Sequence, residues 1–213
     1  GLGLYSDARK INAYHLLMGE ADLSDTISET SIPGLSVLPS GVDLSGAEIE
    51  LVEVENRLYR LKTALTGGPF SFDYVLIDCP PSLSLLTVMA LVCSNSLLVP
   101  LQTEFFALEG LTQLMKTIER IKVSLNPDLK IRGILLTMYD KRNKLSSQVE
   151  KEARDYFTNQ VYTTVIPRNV RLSEAPSHGV PVLIYDKSCP GSKSYYSFTD
   201  EFILQENKIG SAA

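Results

Sequence analysis

The chain has 213 residues, of which 44% are hydrophobic and 21% charged, and this suits one globular domain or at most two small ones. No apolar run approaches the roughly 20 residues of a membrane span, and no signal peptide is visible. Three cysteines without paired spacing and only two histidines argue against a disulfide framework and a histidine-based metal cluster, and they favour a reducing, intracellular setting.

The net charge of −5 hides an uneven distribution. Residues 116–171 carry 12 Lys/Arg and 6 Asp/Glu, a net of +6, whereas the rest of the chain is net −11. A local basic face on an acidic protein can bind DNA weakly and with a strong salt dependence. Ordinary solvated helices also carry such charges, so both interpretations stay open.

Short apolar runs alternate with longer amphipathic ones along the chain, and we predict the short runs to be strands. Tyr74–Ile77 and Ile134–Leu136 are apolar at every position, which is typical of strands buried on both faces of a parallel sheet. In chain order the predicted strands are Leu35–Leu38, Tyr74–Cys79, Leu97–Leu101, Ile131–Met138, Val161–Ile166 and Val182–Tyr185.

Apolar residues at spacings of three and four predict helices between these strands. The first is expected to begin near a capping box formed by Ser45 and Glu48 and to continue to Leu65. Further helices are predicted over Leu111–Leu125, after a capping box at Ser147 and Glu150, and over Ser194–Leu204, with a turn at Gly67-Gly68-Pro69.

This alternation predicts an α/β fold, with a mostly parallel β-sheet flanked by helices on both faces. Ligands of such sheets bind beyond the carboxyl ends of the strands. The segments that follow the predicted strands are therefore the places to search for chemistry.

The predicted strand Tyr74–Cys79 carries Asp78 at its end, directly before Pro80 and Pro81. A lone carboxylate there often accepts N–H bonds from its own loop. The functional interpretation is that Asp78 holds the shell of a Mg²⁺ ion beside the phosphates of a nucleotide, because this cation prefers oxygen ligands. The prolines have fixed φ and would give a stiff loop suited to sensing the terminal phosphate.

Two more segments, after Ile131–Met138 and after Val161–Ile166, are expected at the same sheet edge as Asp78. Met138, Pro167 and the exposed backbone of these segments are suited to sandwich an adenine ring. The alternative is a pair of ordinary β–α loops with solvated Arg and Lys side chains.

In their order along the chain, these segments resemble the ParA/Soj family of partitioning ATPases. The likeness extends from about Gly1 to about Gln205. It is carried by Asp78-Cys79-Pro80-Pro81-Ser82, Pro100-Leu101-Gln102 with Leu108-Glu109-Gly110, Thr137-Met138-Tyr139-Asp140, and Ile166-Pro167-Arg168-Asn169-Val170-Arg171 with Ser173-Glu174-Ala175-Pro176-Ser177.

The resemblance implies one P-loop NTPase-like α/β domain over residues 1–213, which partitions chromosomes or plasmids in the cytoplasm, at the nucleoid. It implies ATP and Mg²⁺ as cofactors, a homodimer, non-specific DNA, a ParB-type partner protein and no membrane. Asp78 matches the Walker-B aspartate, Pro80 the switch that follows it, and Met138 with Pro167 and Arg168 the adenine-facing loops. The DNA-contacting basic residues of the family lie in its C-terminal half, where our candidates are Arg154, Lys187 and Lys193.

The family opens with a strand, a Lys-Gly-Gly-x-Gly-Lys-Thr loop, a helix and a second strand, and none of these has a match in the 213 residues. The start at Gly1-Leu2-Gly3, without Met, suggests a fragment or a processed product. Because the loop supplies the phosphate cradle, a lysine and the Mg²⁺-binding hydroxyl, we expect no ATP hydrolysis by these residues alone. We also expect the neighbours of the missing first strand to lose ladder partners.

Other classes of protein fit less well. One alternative is a nucleotide-independent module for DNA binding, protein binding or dimerisation. A membrane-cycling relative of the MinD kind would end in a basic amphipathic helix, whereas residues 199–208 are net acidic. Iron–sulfur carriers need clustered cysteines, and a Cys–His hydrolase needs a nucleophile near His178 that the sequence does not place there.

Overall fold

The computed structural model describes residues 2–4, 10–66 and 71–210, with side chains as far as residue 207. The predicted turn Gly67-Gly68-Pro69 lies outside the described residues. The chain divides into two compact units. We call them the helical unit (Gly3–Asn95 and Ile121–Leu129) and the sheet unit (Gly1–Leu2, Ser96–Arg120 and Lys130–Ala213).

The helical unit is built from short helices around a small apolar core. Leu17, Ala47, Leu51 and Met89 are buried at its centre. Its elements are α1 (Ala13–Met18), α2 (Leu23–Thr26), the antiparallel pair β1 (Ser28–Glu29) and β2 (Ser36–Val37), α3 (Leu44–Glu50), a 3₁₀ turn (Arg57–Tyr59), α4 (Arg60–Thr66) and α5 (Leu85–Cys93). The predicted strand Leu35–Leu38 is thus present as β2, in an antiparallel pair.

The single helix predicted from Ser45 to Leu65 is wrong. α3 ends at Glu50, and Asn56 has a φ of +56°, in the left-handed region that an α-helix cannot contain. The capping box is wrong as well, because the Ser45 hydroxyl donates to the Val42 carbonyl (2.7 Å) instead of capping a helix. The apolar residues of the predicted helix nevertheless pack into one hydrophobic core, that of Leu51, Val54, Leu58 and Leu61.

The strand predicted over Tyr74–Cys79 is also wrong. Residues 71–84 contain neither helix nor strand, and the side chains of Tyr74, Val75 and Leu76 are 53%, 58% and 86% exposed. A strand forms only where a neighbouring strand pairs with its N–H and C=O groups, and none of the strands in the described residues pairs with residues 71–84. The apolar run is therefore left without the ladder that its composition predicted.

The sheet unit contains the parallel pair β3 (Ser96–Gln102) and β4 (Lys130–Thr137). Val99 lies opposite Ile134 and Leu101 opposite Leu136, so both predicted strands are confirmed. The helices here are α6 (Ala107–Ser124, in the sheet unit as far as Arg120), α7 (Lys144–Phe157), α8 (Val170–Glu174), α9 (Val182–Tyr185) and α10 (Pro190–Gly210).

Residues 161–166 run parallel to β4 on its other side. Tyr162 N–H donates to the Ile134 carbonyl (3.0 Å) and Ile166 N–H to the Leu136 carbonyl (2.8 Å). The predicted strand Val161–Ile166 thus has the expected position and direction, although it pairs only through isolated bridges. The segment is referred to below as the third run.

Two other local predictions of this unit fail. Val182–Tyr185 is a helix, not a strand, because a four-residue apolar run cannot distinguish the two states by periodicity. α7 begins earlier than the predicted Ser147 and Glu150 capping box, and the Asn143 side chain accepts the capping bond from Leu145 N–H (3.0 Å).

Alternate residues of β4 bury opposite faces of the sheet. Ile134 and Leu136 pack with Leu111 of α6 and Ala153 of α7, and both are fully buried. Leu135 points to the other face, where Tyr162 and Ile166 pack with Tyr195, Phe198 and Phe202 of α10. Helices therefore cover both faces, and the predicted α/β class with a parallel sheet is confirmed.

Polar contacts fix α10 to the outer edge of the sheet. The Glu201 carboxylate accepts the backbone N–H groups of Thr163 (2.7 Å) and Thr164 (2.9 Å), which the third run would otherwise leave unpaired at a sheet edge. Arg132 of β4 forms an ion pair with Glu206 (2.7 Å). Its guanidinium also lies over the Phe202 ring, 5.1 Å from the centroid.

Candidate functional site

Three segments of the sheet unit end at the same edge of the sheet. β3 stops at Gln102, β4 at Thr137 and the third run at Ile166. Backbone bonds join the loops that follow, from Thr103 N–H to the Thr137 carbonyl (3.2 Å), from Tyr139 N–H to Ile166 (3.1 Å) and from Arg168 N–H to Tyr139 (3.0 Å). The expectation that the loops after β4 and after the third run share an edge is confirmed.

Met138 occupies a strained position where β4 turns into its loop. Its φ is +53°, in the left-handed region, which costs roughly 1–2 kcal/mol for a residue with a side chain. The side chain is 38% exposed. Backbone strain held between two hydrogen-bonded loops is common at ligand sites, and this favours a functional role for the turn.

A groove of about 690 Å³ opens beside these loops. We call it the sheet-edge groove, and its volume lies within the roughly 300–1,000 Å³ typical of ligand pockets. It is lined by Tyr139, Asp140, Lys141, Arg142, Val165, Pro167, Arg168, Val170, Pro190 and Ser194.

The charges of the sheet-edge groove are arranged asymmetrically. Arg142 binds the Asp140 carboxylate through Nε (3.1 Å) and Nη2 (3.0 Å), and its backbone N–H adds a third bond. These bonds, with a smaller contribution from the Arg168 charge, lower the pKa of Asp140 to about 2. Asp140 and Arg142 therefore neutralise each other, and Lys141 and Arg168 give the groove a positive charge.

Two of the predicted adenine-facing residues, Pro167 and Arg168, line the sheet-edge groove. Met138 is not among the lining residues, but it precedes Tyr139, which is. Sequence reasoning missed Pro190 and Ser194, which reach the groove from α10. No local signal could have found them, because α10 begins more than 20 residues after Arg168 and only the fold brings it back.

The other two predicted nucleotide residues, Asp78 and Pro80, lie in the helical unit. Both are exposed in the segment without regular structure, so Asp78 does not end a buried strand as predicted. An exposed carboxylate remains the kind of ligand that Mg²⁺ prefers. The described residues bring no three His, Cys, Asp or Glu side chains together around it.

The predicted DNA-binding residues fall into two groups. Arg154 of α7 binds Glu150 (3.0 Å) and the carbonyl groups of Tyr162 (3.1 Å) and Thr163 (3.3 Å), so its guanidinium holds the third run against α7. Lys187 and Lys193 are both exposed, in the turn before α10 and in its first turn. The geometry assigns a structural task to Arg154 and leaves the two lysines facing solvent.

Comparison with known proteins decides which family this arrangement belongs to. The model of the AAA domain family matches residues 1–131. The chromosome partitioning protein ParA of Caulobacter vibrioides is 55% identical over 210 residues, which cover 97% of this chain and 78% of that protein. The chain belongs to the ParA/Soj family of partitioning ATPases. The sporulation initiation inhibitor protein Soj of Bacillus subtilis is 48% identical, with 94% and 79% covered.

A solved structure supports the same fold for this ParA/Soj chain. Cobyrinic acid a,c-diamide synthase from Mycobacterium smegmatis, with a bound ATP analogue and magnesium, superimposes with a TM-score of 0.81 at 33% identity. The match covers 98% of this chain and 78% of that one. The predicted P-loop NTPase-like fold is confirmed. Within the described residues, every helix is too short or too polar to cross a bilayer.

Proposed function

We propose that this member of the ParA/Soj family partitions DNA as an ATP-dependent subunit, and that its sheet-edge groove takes the adenine end of ATP. One observation carries the proposal: the loops after β4 and after the third run are hydrogen-bonded together, and Pro167 and Arg168 line the groove beside them. This is the edge at which ligands of parallel sheets bind.

The lining residues suit a purine with a negatively charged tail. Pro167, Val165 and Val170 offer apolar surface for a flat ring. Asp140 and Arg142 form an ion pair with no net charge, so the remaining charges of the groove are the cations Arg168 and Lys141, which attract phosphate. The two loops beside the groove are also joined by the backbone bonds from Tyr139 N–H to Ile166 and from Arg168 N–H to Tyr139.

We assign Asp78 to the water shell of Mg²⁺ and Pro80 to the loop that senses the terminal phosphate. When bound, Mg²⁺ neutralises the negative charge that phosphoryl transfer develops. The cradle of backbone N–H groups that holds the phosphates is not found among the 213 residues. These residues by themselves therefore bind ATP weakly and do not hydrolyse it.

We further propose that the working protein is a homodimer that binds DNA without sequence preference and answers to a ParB-type partner. Lys187 and Lys193 are the exposed cations for the DNA backbone. Binding to phosphates by lysine weakens steeply with salt and ignores base sequence. The alternative, a nucleotide-independent binding module, would bind DNA in the same way but would leave the sheet-edge groove without a ligand.

Photo-cross-linking tests the nucleotide part. An azido-ATP probe at millimolar concentration should label peptides 138–142 and 165–171, and Arg168→Ala should reduce that labelling while Lys187→Ala leaves it unchanged. Labelling spread evenly over the chain, or unaltered by Arg168→Ala, would overturn the assignment of the groove. In a titration with labelled ATP and Mg²⁺, sub-millimolar affinity would contradict the weak binding expected without the phosphate cradle.

Gel-shift assays test the DNA part. Duplexes of unrelated sequence should shift equally at about 50 mM salt and be released as salt rises. Lys187→Ala with Lys193→Ala should weaken every duplex alike. The absence of any shift at low salt would count against these lysines and leave the groove assignment untouched.

A further inference from the structure

The turn after β4 carries a methionine that solvent reaches. The chain has four methionines, all within the described residues, and Met138 is the exposed one, at 38%. Met89 is 1% exposed, and Met18 and Met115 are half-buried against the cores of their units. Oxidation of sulfur side chains follows their exposure, so a small oxidant in solution meets Met138 first.

The cysteine thiols compete poorly for such an oxidant below neutral pH. The thiolate is the reactive form of cysteine, and a raised thiol pKa makes it scarcer. Burial raises the pKa of Cys79, and the charge of the neighbouring Asp78 raises it further. Burial also raises the pKa of Cys93, while Cys189 is buried. A thioether has no proton to lose, so Met138 stays reactive where the thiols are protonated.

Met138 lies at the junction of the two loops beside the sheet-edge groove. The next residue, Tyr139, donates its N–H to the Ile166 carbonyl (3.1 Å) and accepts Arg168 N–H at its own carbonyl (3.0 Å). Tyr139 and Arg168 both line the groove. The left-handed φ of Met138 persists because bonds on both sides hold the turn. A chemical change in this side chain therefore occurs next to the bonds that join the loops.

A peroxide can supply the oxygen for that change. The sulfur lone pair attacks one oxygen of hydrogen peroxide, an S–O bond forms and the O–O bond breaks. The departing oxygen takes the proton of the transferred one and leaves as water, so sulfur is oxidised and the peroxide reduced. The product, methionine sulfoxide, is polar where the thioether was apolar, and methionine sulfoxide reductases reverse the step.

A sulfoxide is poorly accommodated in this turn. Most of the Met138 surface is covered, since 38% is exposed. A sulfoxide oxygen needs a hydrogen-bond donor or water, and burying it without one is unfavourable. The turn must open to hydrate the oxygen, and this pulls on the Tyr139 bonds. The edge of the groove also loses an apolar, polarisable sulfur of the kind that contacts aromatic rings favourably.

We propose that Met138 is a reversible oxidation site. Conversion of its thioether to the sulfoxide by a peroxide loosens the two joined loops and lowers the affinity of the sheet-edge groove for nucleotide. The effect on nucleotide rests on the proposed function, whereas the oxidation site and the loosening of the loops do not.

Peptide mass spectrometry after mild treatment with hydrogen peroxide tests the site. At about pH 6 the thiols are protonated, and dithiothreitol added afterwards reduces oxidised cysteine but leaves the sulfoxide in place. The peptide that contains Met138 should gain oxygen first and the peptide that contains Met89 last. Oxidation of Met115 before Met138, or of all four methionines at one rate, would overturn the assignment.

Hydrogen exchange measures the loosening without any nucleotide. When Met138 alone is oxidised, amide exchange should become faster in peptides 138–142 and 165–171 and stay unchanged in α6. Azido-ATP labelling of the same two peptides should fall about threefold to tenfold, the range given by loss of a sulfur–aromatic contact. Methionine sulfoxide reductase should restore both. If the groove takes no nucleotide, untreated protein shows no local labelling, but the faster exchange remains and tests the site separately.

Two substitutions at Met138 make the test specific. Met138→Leu keeps the apolar volume and cannot form a sulfoxide, so its exchange and labelling, whatever their starting level, should not change on peroxide treatment. Met138→Gln is polar and should exchange faster before any treatment. Met115→Leu is the matched control, because it removes a half-buried methionine of α6 and should leave the response to peroxide intact.

Thermal melts should show that these variants fold. Equal sensitivity of Met138→Leu and the unaltered chain would refute the proposal. So would complete oxidation of Met138 with unchanged exchange in both peptides, because the sulfoxide would then leave the joined loops as they are.

Discussion

Replacing Gly133 by alanine places a methyl group where the sheet has no room for one. Gly133 lies in β4, and the third run passes beside it. A Cβ at this position would lie 2.4 Å from Cε2 and 3.0 Å from Cδ2 of the Tyr162 ring, and 3.1 Å from the Gln160 carbonyl oxygen. Ordinary contacts of this kind are about 3.5–4.0 Å, so the ring has to move by about 1 Å.

The Tyr162 ring is held on all sides and cannot move freely. It is 2% exposed, and its ring meets Phe198 of α10 edge-on with 4.9 Å between centroids. Overpacking of this kind typically costs about 1–3 kcal/mol. In a chain of this length each kcal/mol shifts the melting temperature by about 2–4 °C, so we expect Gly133→Ala to lower it by about 2–12 °C.

Thermal and urea unfolding followed by circular dichroism measure this effect. Gly110→Ala is the matched control, because Gly110 lies in α6 and a methyl group added there would have nothing within 4 Å. That change should raise stability by up to about 1 kcal/mol through helix propensity. The same Gly133→Ala change made in a Tyr162→Leu background should lose at least half of its penalty, because the ring that it strikes is gone.

A Gly133→Ala variant with unchanged or higher stability would refute this reasoning. So would an equal penalty in both backgrounds, since the clash would then involve something other than the Tyr162 ring.

Three further predictions concern stability. Glu201→Gln should cost about 1–2 kcal/mol of unfolding free energy at neutral pH, the value of charge-assisted hydrogen bonds reduced for partial exposure. Burial alone would raise the Glu201 pKa, but the N–H donors of Thr163 and Thr164 outweigh it and lower the pKa. The stabilisation is therefore present above about pH 4.3 and lost on acidification, so the urea unfolding curves of the two proteins should converge in acid. Ile134→Val should cost about 0.5–1.5 kcal/mol and Ile134→Ala about 2–5, because this side chain is fully buried, and equal costs would contradict its place in the core. Asn143→Ala should cost about 1 kcal/mol by removing the α7 cap, whereas Ser147→Ala should cost less. A lower melting temperature for Ser147→Ala than for Asn143→Ala would instead support the predicted capping box at Ser147.

The sequence motifs that resemble the family follow β3, β4 and the third run in chain order, and the structure shows why that order is informative about the site. Each segment that follows β3, β4 and the third run reaches the same sheet edge, since parallel strands end together. Pro167 and Arg168 were therefore predictable as neighbours of the loop after Met138. Pro190 and Ser194 were not, because their approach depends on how α10 packs on the far face of the sheet.

Local patterns failed where two structures fit the same residues. Val182–Tyr185 satisfies a strand and a helix equally in its apolar character, and it became α9. Ser45 and Ser147 both stand three residues before a glutamate, yet neither forms the predicted cap, because helix starts were set by neighbouring residues. The helix predicted from Ser45 to Leu65 is interrupted at Asn56, whose backbone has a left-handed φ, and the spacing of apolar residues does not reveal such a φ.

The sequence by itself determined the α/β class, the parallel strands β3 and β4 and the order of the edge loops, because apolar periodicity and turn residues act locally along the chain. The tertiary structure alone decided which segments pair, which residues line the sheet-edge groove and which cations stay exposed. The segment Tyr74–Cys79 is the clearest example, because its composition is that of a buried strand although the structure contains no strand there. A strand forms only when a neighbouring strand pairs with its backbone and other elements cover its side chains, and a local sequence pattern does not determine either.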